Sequence, residues 1–163
     1  MPNRVLRKVE PGENYKILFV CTSGGHLSYL TRLRPWWEHR ERLWVTFDKP
    51  DARGALNDER VIWGHHPVTR NLPNLVKNLA LAVRVLRRER PDVVFSSGAG
   101  IGLPFIWAGR AFGCHTVYME LLDRLETATL NAKLCAPATE LFLAQLPEQK
   151  KLFPKALLVG PVY

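Results

Sequence analysis

The sequence of 163 residues has few cysteines and no long apolar run. A membrane-spanning helix needs about 20 consecutive apolar residues, and every apolar segment here is shorter. The three cysteines, Cys21, Cys114 and Cys135, are widely separated, which favours neither a disulfide framework nor a metal cluster. Residues 1–14 are polar and lack the apolar segment of a signal peptide. We therefore expect a cytoplasmic protein, soluble or peripherally bound to a membrane, with a polar extension at residues 1–14 and a single domain at residues 15–163.

Acidic residues are a minority, because 15 Asp and Glu stand against 23 Lys and Arg and leave a net charge of +8. Such an excess indicates an anionic partner, and nucleic acid, a phosphorylated ligand and an acidic membrane all fit the total. The sequence has no helix-turn-helix, zinc-finger or RNP-type motif, and its aromatic residues do not alternate with basic ones along a strand. We therefore expect no nucleic-acid partner.

Short β-branched and aromatic runs alternate with segments of helical periodicity. Strands are predicted at residues 16–21, 43–47, 60–63, 92–95, 116–119, 140–144 and 156–159. Helices are predicted at residues 26–40, where Pro35 can kink or shorten the helix, and at residues 74–89, 106–112 and 127–136, with a turn and a polar stretch at 48–58. This alternation predicts an α/β fold, a Rossmann-like doubly wound parallel sheet covered on both faces.

Glycine-containing turns follow the first and the fourth predicted strands. In the common doubly wound order these strands are neighbours, so both turns would face one crevice at the carboxyl edge of the sheet. The first turn, residues 23–26, has two interpretations. It is either a tight connection or a site where backbone N–H groups meet an anion while His26 enters the cleft. A histidine there has the pKa to accept a proton from a hydroxyl nucleophile.

A dinucleotide-binding fold is the alternative that this turn raises. Asp48, after the second strand, stands where a ribose-binding carboxylate is expected. However, the turn lacks the G-x-G-x-x-G spacing, since Tyr29 and Leu30 occupy the region where a third glycine would let the helix pack closely. The dinucleotide interpretation is therefore disfavoured.

Several motifs, taken in order, resemble those of the acceptor-side subunit of split glycosyltransferases. They are Ser-Gly-Gly-His at 23–26, Arg-Pro-Asp-Val-Val at 90–94, Ser-Gly-Ala-Gly at 97–100, Tyr-Met-Glu at 118–120 and Arg-Leu-Glu-Thr at 124–127. In eukaryotes this subunit recruits the dolichol-linked N-acetylglucosaminyltransferase to the membrane, and in bacteria it is the PssD-type subunit of exopolysaccharide synthesis. The bacterial form is more similar, through residues 66–74, 148–155 and 159–161. The resemblance covers residues 15–163.

A more distant resemblance is to MurG, the lipid-linked N-acetylglucosaminyltransferase of peptidoglycan synthesis, which has two-domain GT-B architecture. It implies that this chain equals the amino-terminal, acceptor-binding half and that a separate donor-binding subunit completes the enzyme, because the chain stops at Tyr163. The reaction implied is inverting transfer of N-acetylglucosamine or glucuronic acid from a UDP-sugar to a polyprenyl-diphosphate-linked acceptor. No metal or other cofactor is expected.

The resemblance implies His26 and Glu120 as catalytic residues. Glu120 ends an apolar strand, where burying a carboxylate is costly without a partner. Arg124 either pairs with it structurally or helps it shape the cleft. The candidate substrate-binding residues are Ser23, Gly24, Gly25, Ser97, Gly98, Ala99, Gly100 and Arg124.

Basic residues cluster on the longest predicted helix, residues 74–89, and just beyond it. One interpretation is a core helix with a solvated basic end, since cations suit a helix carboxyl terminus. The other is a peripheral membrane surface on the inner face of the cell membrane, because the apolar positions fill more than one stripe. The candidate membrane residues are Trp36, Trp37, Leu72, Leu75, Lys77, Leu79, Arg84, Arg87 and Arg88.

The apolar carboxyl-terminal segment is either a last strand or a docking tail for the donor-binding subunit. The candidate docking residues are Gly160, Pro161, Val162 and Tyr163. Two other functions stay open at this point: a catalytically silent membrane scaffold for a glycosyltransferase, and a self-sufficient nucleotide-binding enzyme.

Overall fold

The computed structural model of the chain describes residues 14–122 and 126–162, and within them seven strands form one parallel sheet. The strands are β1 Ile17–Val20, β2 Arg42–Thr46, β3 Val61–Trp63, β4 Val93–Ser96, β5 His115–Met119, β6 Leu141–Ala144 and β7 Leu157–Leu158. Their order is β3-β2-β1-β4-β5-β6-β7. The order reverses between β1 and β4, which pair in register from Ile17 with Val93 to Val20 with Ser96. The predicted fold class and the predicted neighbours β1 and β4 are confirmed.

Helices cover both faces of the sheet. They are α1 Gly25–Arg32, α2 Arg34–Trp37, α3 Pro50–Ala55, α4 Leu72–Glu89, α5 Gly102–Ala111, α6 Leu130–Cys135 and α7 Pro147–Leu152, with a 3-10 turn at Ala136–Ala138. Alternate side chains of β1 enter opposite cores, as a strand in the middle of a sheet requires. Leu18 and Val20 pack in the core with α4, α5 and α6, whereas Ile17 and Phe19 pack in the core with α1, α2 and α3.

The structure differs from the predicted helices at several places. The segment 26–40 breaks into α1 and α2, and Pro35 lies in the first turn of α2, where its missing N–H costs nothing. The long helix α4 is capped by Asn71, whose side chain accepts from the N–H of Asn74, so the helix begins at Leu72, two residues before the predicted start. The short helices α3 and α7 were not predicted, although each begins with a proline, Pro50 and Pro147, at a position that proline favours.

The prediction that Trp37 belongs to a membrane surface is wrong. Its side chain is only 2% exposed, and its indole N–H donates to the main-chain oxygen of Leu30 at 2.8 Å. The ring packs edge-on against Trp44 at a centroid distance of 5.5 Å and contacts Phe19. Helical periodicity alone did not separate this tryptophan from its neighbour Trp36, which is 41% exposed.

The loop before α4 is fixed to that helix by a buried amide. Asn78 is fully buried, and its side chain accepts from the N–H of His65 at 2.9 Å and donates to the carbonyl oxygen of His65 at 2.8 Å. A second amide, Asn74, donates to the carbonyl oxygen of Pro67 at 2.8 Å. These bonds hold the loop that leads from β3 to the start of α4.

Replacing Asn78 with alanine should destabilise the domain by about 2 kcal/mol, because two hydrogen bonds are lost and both main-chain groups of His65 lose a partner. Chemical denaturation measures this change. The matched control is Lys77→Ala, an exposed position on the same helix that should change stability by less than about 0.5 kcal/mol. Equal stability of the two variants would contradict the role of the buried amide.

Candidate functional site at the carboxyl edge of the sheet

The two glycine-containing turns meet through hydrogen bonds between His26 and Ser97. Nδ1 of His26 lies 2.7 Å from the carbonyl oxygen of Ser97, and the Ser97 hydroxyl donates to the carbonyl oxygen of His26 at 3.0 Å. Because a carbonyl oxygen only accepts, Nδ1 carries the proton in this bond, and Nε2 is the basic nitrogen of the neutral ring. The contact therefore orients the imidazole and sets its tautomer.

A small pocket lies beside this contact. Its walls are formed by His26, Ala99, Tyr118, Glu120, Leu121, Thr129 and Asn131. Its volume is about 130 Å³, which is room for about four waters and well below the roughly 300 Å³ at which sites for larger ligands begin. The pocket itself has room for part of a sugar ring, and a larger ligand would extend beyond it.

Glu120 follows β5 directly and is 5% exposed. Its negative charge acts on two buried neighbours. Burial is the larger cause that raises the pKa of Cys135 to about 12, and the Glu120 charge is the second cause. The same two causes, in the same order, raise the pKa of Tyr118. The carboxylate is thus a source of negative potential within the pocket. Arg124, its predicted partner, lies outside the described residues.

Two buried glutamines hold the wall that carries Glu120. Gln145 donates from its side chain to the carbonyl oxygen of Glu120 at 2.7 Å, and Gln149 donates to the carbonyl oxygen of Leu121. The side-chain oxygen of Gln145 also accepts from the N–H of Val162 at 2.9 Å. One amide therefore connects the pocket wall to the carboxyl-terminal segment.

The described part of the predicted docking tail packs partly on its own domain. Val162 is half-buried against the core beneath α1, whereas Pro161 is exposed and Gly160 has a φ of 81° that favours glycine. Tyr163 lies outside the described residues.

The second turn requires glycine at position 98. Gly98 has a φ of 99°, and a methyl group added there would approach the Tyr118 hydroxyl to 2.6 Å. A methyl group on Gly100 would likewise come within 3.0 Å of the Val68 side chain. The turn is compact because neighbouring side chains fill the space on both sides of it.

The first turn is not a wall of the pocket. Ser23 is half-buried, Gly24 and Gly25 are exposed, and the N–H of Gly24 donates to the Asp51 carboxylate of α3 at 2.7 Å. The backbone N–H predicted to meet an anion at Gly24 therefore already has an anionic partner within the chain.

Sequence reasoning missed three polar residues of the pocket. Tyr118 had been noted only within a motif, and Thr129 and Asn131 only as part of a predicted helix. Thr129 caps α6 by accepting from the N–H of Ala132 at 3.0 Å. The sequence signal that could have identified Thr129 is a threonine at the start of the helix that follows the Glu120 strand, because threonine is a common helix N-cap.

An exposed apolar surface runs along α4 and continues on α5 and α6. Its most exposed members are Leu72, Val76, Leu79, Trp107, Leu130 and Leu134. The predicted residue Leu75 is half-buried, whereas Lys77, Arg84, Arg87 and Arg88 are exposed on α4. Because α4 follows β3, it begins at the carboxyl edge, near the pocket, and three of its four predicted membrane-binding cations lie toward its other end.

No helix in residues 14–122 or 126–162 is both long and apolar enough to span a bilayer. Within the same ranges, no three His, Cys, Asp or Glu side chains lie together as a metal site would need.

Comparison with known proteins gives two kinds of likeness. No family model matches the chain. The chain is 24% identical over 191 residues to the human UDP-N-acetylglucosamine transferase subunit ALG14, covering 97% of this chain and 88% of the relative. It is 32% identical over 90 residues to the UDP-N-acetylglucosamine--N-acetylmuramyl-(pentapeptide) pyrophosphoryl-undecaprenol N-acetylglucosamine transferase of Oceanobacillus iheyensis, covering 54% of this chain and 24% of the relative.

Among solved structures, MurG of Acinetobacter baumannii superposes with a TM-score of 0.70 at 16% identity, over 90% of this chain and 44% of the MurG chain. The chain thus spans less than half of that structure. UDP-N-acetylglucosamine 2-epimerases share the fold as well, so the fold alone does not select an activity. The chain is a homologue of the ALG14 subunits, and its fold is that of the amino-terminal half of MurG.

Proposed function

We propose that this chain is the acceptor-binding, membrane-associated subunit of a two-component inverting glycosyltransferase of polysaccharide or oligosaccharide synthesis. A separate subunit would bind the UDP-sugar, and the acceptor would be a polyprenyl-diphosphate-linked saccharide. The observation that carries the proposal is a pocket that brings His26 and Glu120 together at the carboxyl edge of the sheet, in a chain similar along its length to a transferase subunit. The sugar would be N-acetylglucosamine or glucuronic acid.

The reaction would be a single in-line displacement. An acceptor hydroxyl oxygen forms a bond to the anomeric carbon while the bond from that carbon to the UDP oxygen breaks, and UDP leaves with the bonding electrons. The hydroxyl proton passes to Nε2 of His26. The Ser97 carbonyl oxygen, which accepts from Nδ1, stabilises the imidazolium that forms.

Glu120 would act by its charge. A carboxylate in the same small pocket favours the protonated imidazole and can accept from a hydroxyl of the acceptor. The UDP-sugar is a substrate in this scheme, and the proposal assigns no cofactor or metal to the chain.

The donor phosphates would be bound mainly by the other subunit. The Gly24 N–H, a natural donor to phosphate at the start of α1, is bound to Asp51. Residues 160–163 would contact that subunit, since this segment emerges beside the Glu120 wall, to which Gln145 connects it.

The variant His26→Ala should lose sugar transfer by about a hundredfold or more, since a positioned base contributes about 10² to 10⁴ in rate. It should still bind the donor subunit, because that contact is assigned to residues 160–163 and not to His26. Turnover with UDP-sugar and co-purification with the donor subunit measure the two effects. The control is His39→Ala, whose side chain is 88% exposed. Near-normal turnover in the His26 variant would favour the silent scaffold.

Membrane contact would use the exposed apolar surface of α4, α5 and α6 together with the cations of α4. Leu72 and Leu79, with Trp107 of α5, would enter the interface while Lys77 and the arginines meet anionic headgroups. An acceptor carried by a polyprenyl chain stays in the bilayer, so a pocket near the start of α4 would be within reach of it. The protein would then lie on the cytoplasmic face of the cell membrane.

The double variant Arg84→Ala/Arg88→Ala should weaken binding to anionic vesicles about thirtyfold, at about 1 kcal/mol per basic residue near the surface. Cosedimentation with phosphatidylglycerol vesicles at low and high salt measures this loss. The matched control is Lys150→Ala/Lys151→Ala on α7, where two exposed cations lie outside the proposed surface. Equal losses in the two double variants would assign the effect to net charge alone and overturn the surface.

A further inference from the structure

Tyr118 is the one phenol among the seven residues described in the pocket walls, and its ring packs against other aromatic rings. It lies on β5 and is 1% exposed, and its ring stacks on Phe142 with centroids 4.9 Å apart and an angle of 24° between the planes. Phe142 in turn stacks on Phe153 at 4.2 Å. The ring can therefore move little, and the hydroxyl is held at a fixed place in the wall.

Two neighbours hydrogen-bond with the phenol. The Asn131 amide donates to the phenol oxygen at 3.5 Å. Thr129 is the second partner, and its own oxygen also accepts from the Ala132 N–H. A phenol has one proton to donate and accepts through its oxygen lone pairs. Because the Asn131 amide uses an oxygen lone pair, the phenol can still donate its proton to a group in the pocket.

The Tyr118 hydroxyl packs closely against Gly98. A methyl group there would lie 2.6 Å from the phenol oxygen and 3.5 Å from Cε1 of His26. The hydroxyl and the imidazole thus approach the same glycine from different elements of the fold, and both side chains belong to the pocket wall.

We propose that Tyr118 is a substrate-contacting residue that donates a hydrogen bond to a hydroxyl oxygen of the acceptor saccharide, oriented for this by Thr129 and Asn131. This rests on the proposed function and specifies how its pocket recognises the acceptor. The bonded oxygen belongs to a hydroxyl other than the one that His26 deprotonates, because a donor to the attacking oxygen would oppose its attack. Burial and the nearby Glu120 charge raise the pKa of Tyr118, so the phenol keeps its proton at neutral pH.

The test compares Tyr118→Phe with the wild-type chain, each in complex with its donor subunit. The probe is farnesyl-diphosphate-linked N-acetylglucosamine, and titration calorimetry measures its dissociation constant. The variant should bind the probe about tenfold more weakly, as expected when one buried hydrogen bond to a ligand is lost. In turnover, KM for the acceptor should rise while kcat and KM for the UDP-sugar stay within about twofold, the pattern of a residue that binds without reacting.

Two further variants separate this role from a structural one. Tyr29→Phe, on α1 with its ring in the other core, should leave probe binding unchanged. Asn131→Ala should weaken probe binding in the wild-type chain and have no further effect in the Tyr118→Phe background, because it acts through the phenol.

Wild-type affinity in Tyr118→Phe, or no saturable probe binding by the wild-type complex, would overturn the assignment of Tyr118. Tyr118-dependent probe binding without transfer from any UDP-sugar would instead leave this assignment in place and contradict the proposed function.

Discussion

The hydrogen bonds between His26 and Ser97 join the turns after β1 and β4 at the point where the strand order reverses. Every other feature of the site depends on this contact. It selects the tautomer of the histidine, places the ring beside Gly98, and forms one side of a pocket whose other side comes from β5 and the start of α6. Parallel strands deliver these groups to one edge because their carboxyl ends all lie there.

The sequence predicted the parts of the site that local patterns encode. Alternating strands and helices were enough to make β1 and β4 neighbours and to bring residues 23–26 toward residues 97–100. Helical periodicity did not show whether Trp37 faces the core or the solvent, and in the structure its indole is buried in the core. Tyr118 and Thr129 were missed for a related reason: they meet only because β5 and α6 pack together, and no spacing along the chain records that contact.

The same edge of the sheet carries three functions in this account. The pocket opens there, the apolar end of α4 begins there, and the segment at residues 160–162 returns there to meet Gln145. A buried amide bonded both to Glu120 and to Val162 connects the pocket wall to the carboxyl-terminal segment. In the proposed two-chain enzyme, this connection would lie between the acceptor pocket and the contact with the donor subunit.

The central claim is that this chain supplies half of a site, and donor binding tests it most directly. UDP-N-acetylglucosamine and UDP-glucuronic acid can be titrated calorimetrically into the chain alone and into its complex with the donor subunit. The account predicts no saturable binding to the chain alone and saturable binding of one of them to the complex. Tight, saturable binding of either nucleotide sugar by the isolated chain would contradict it.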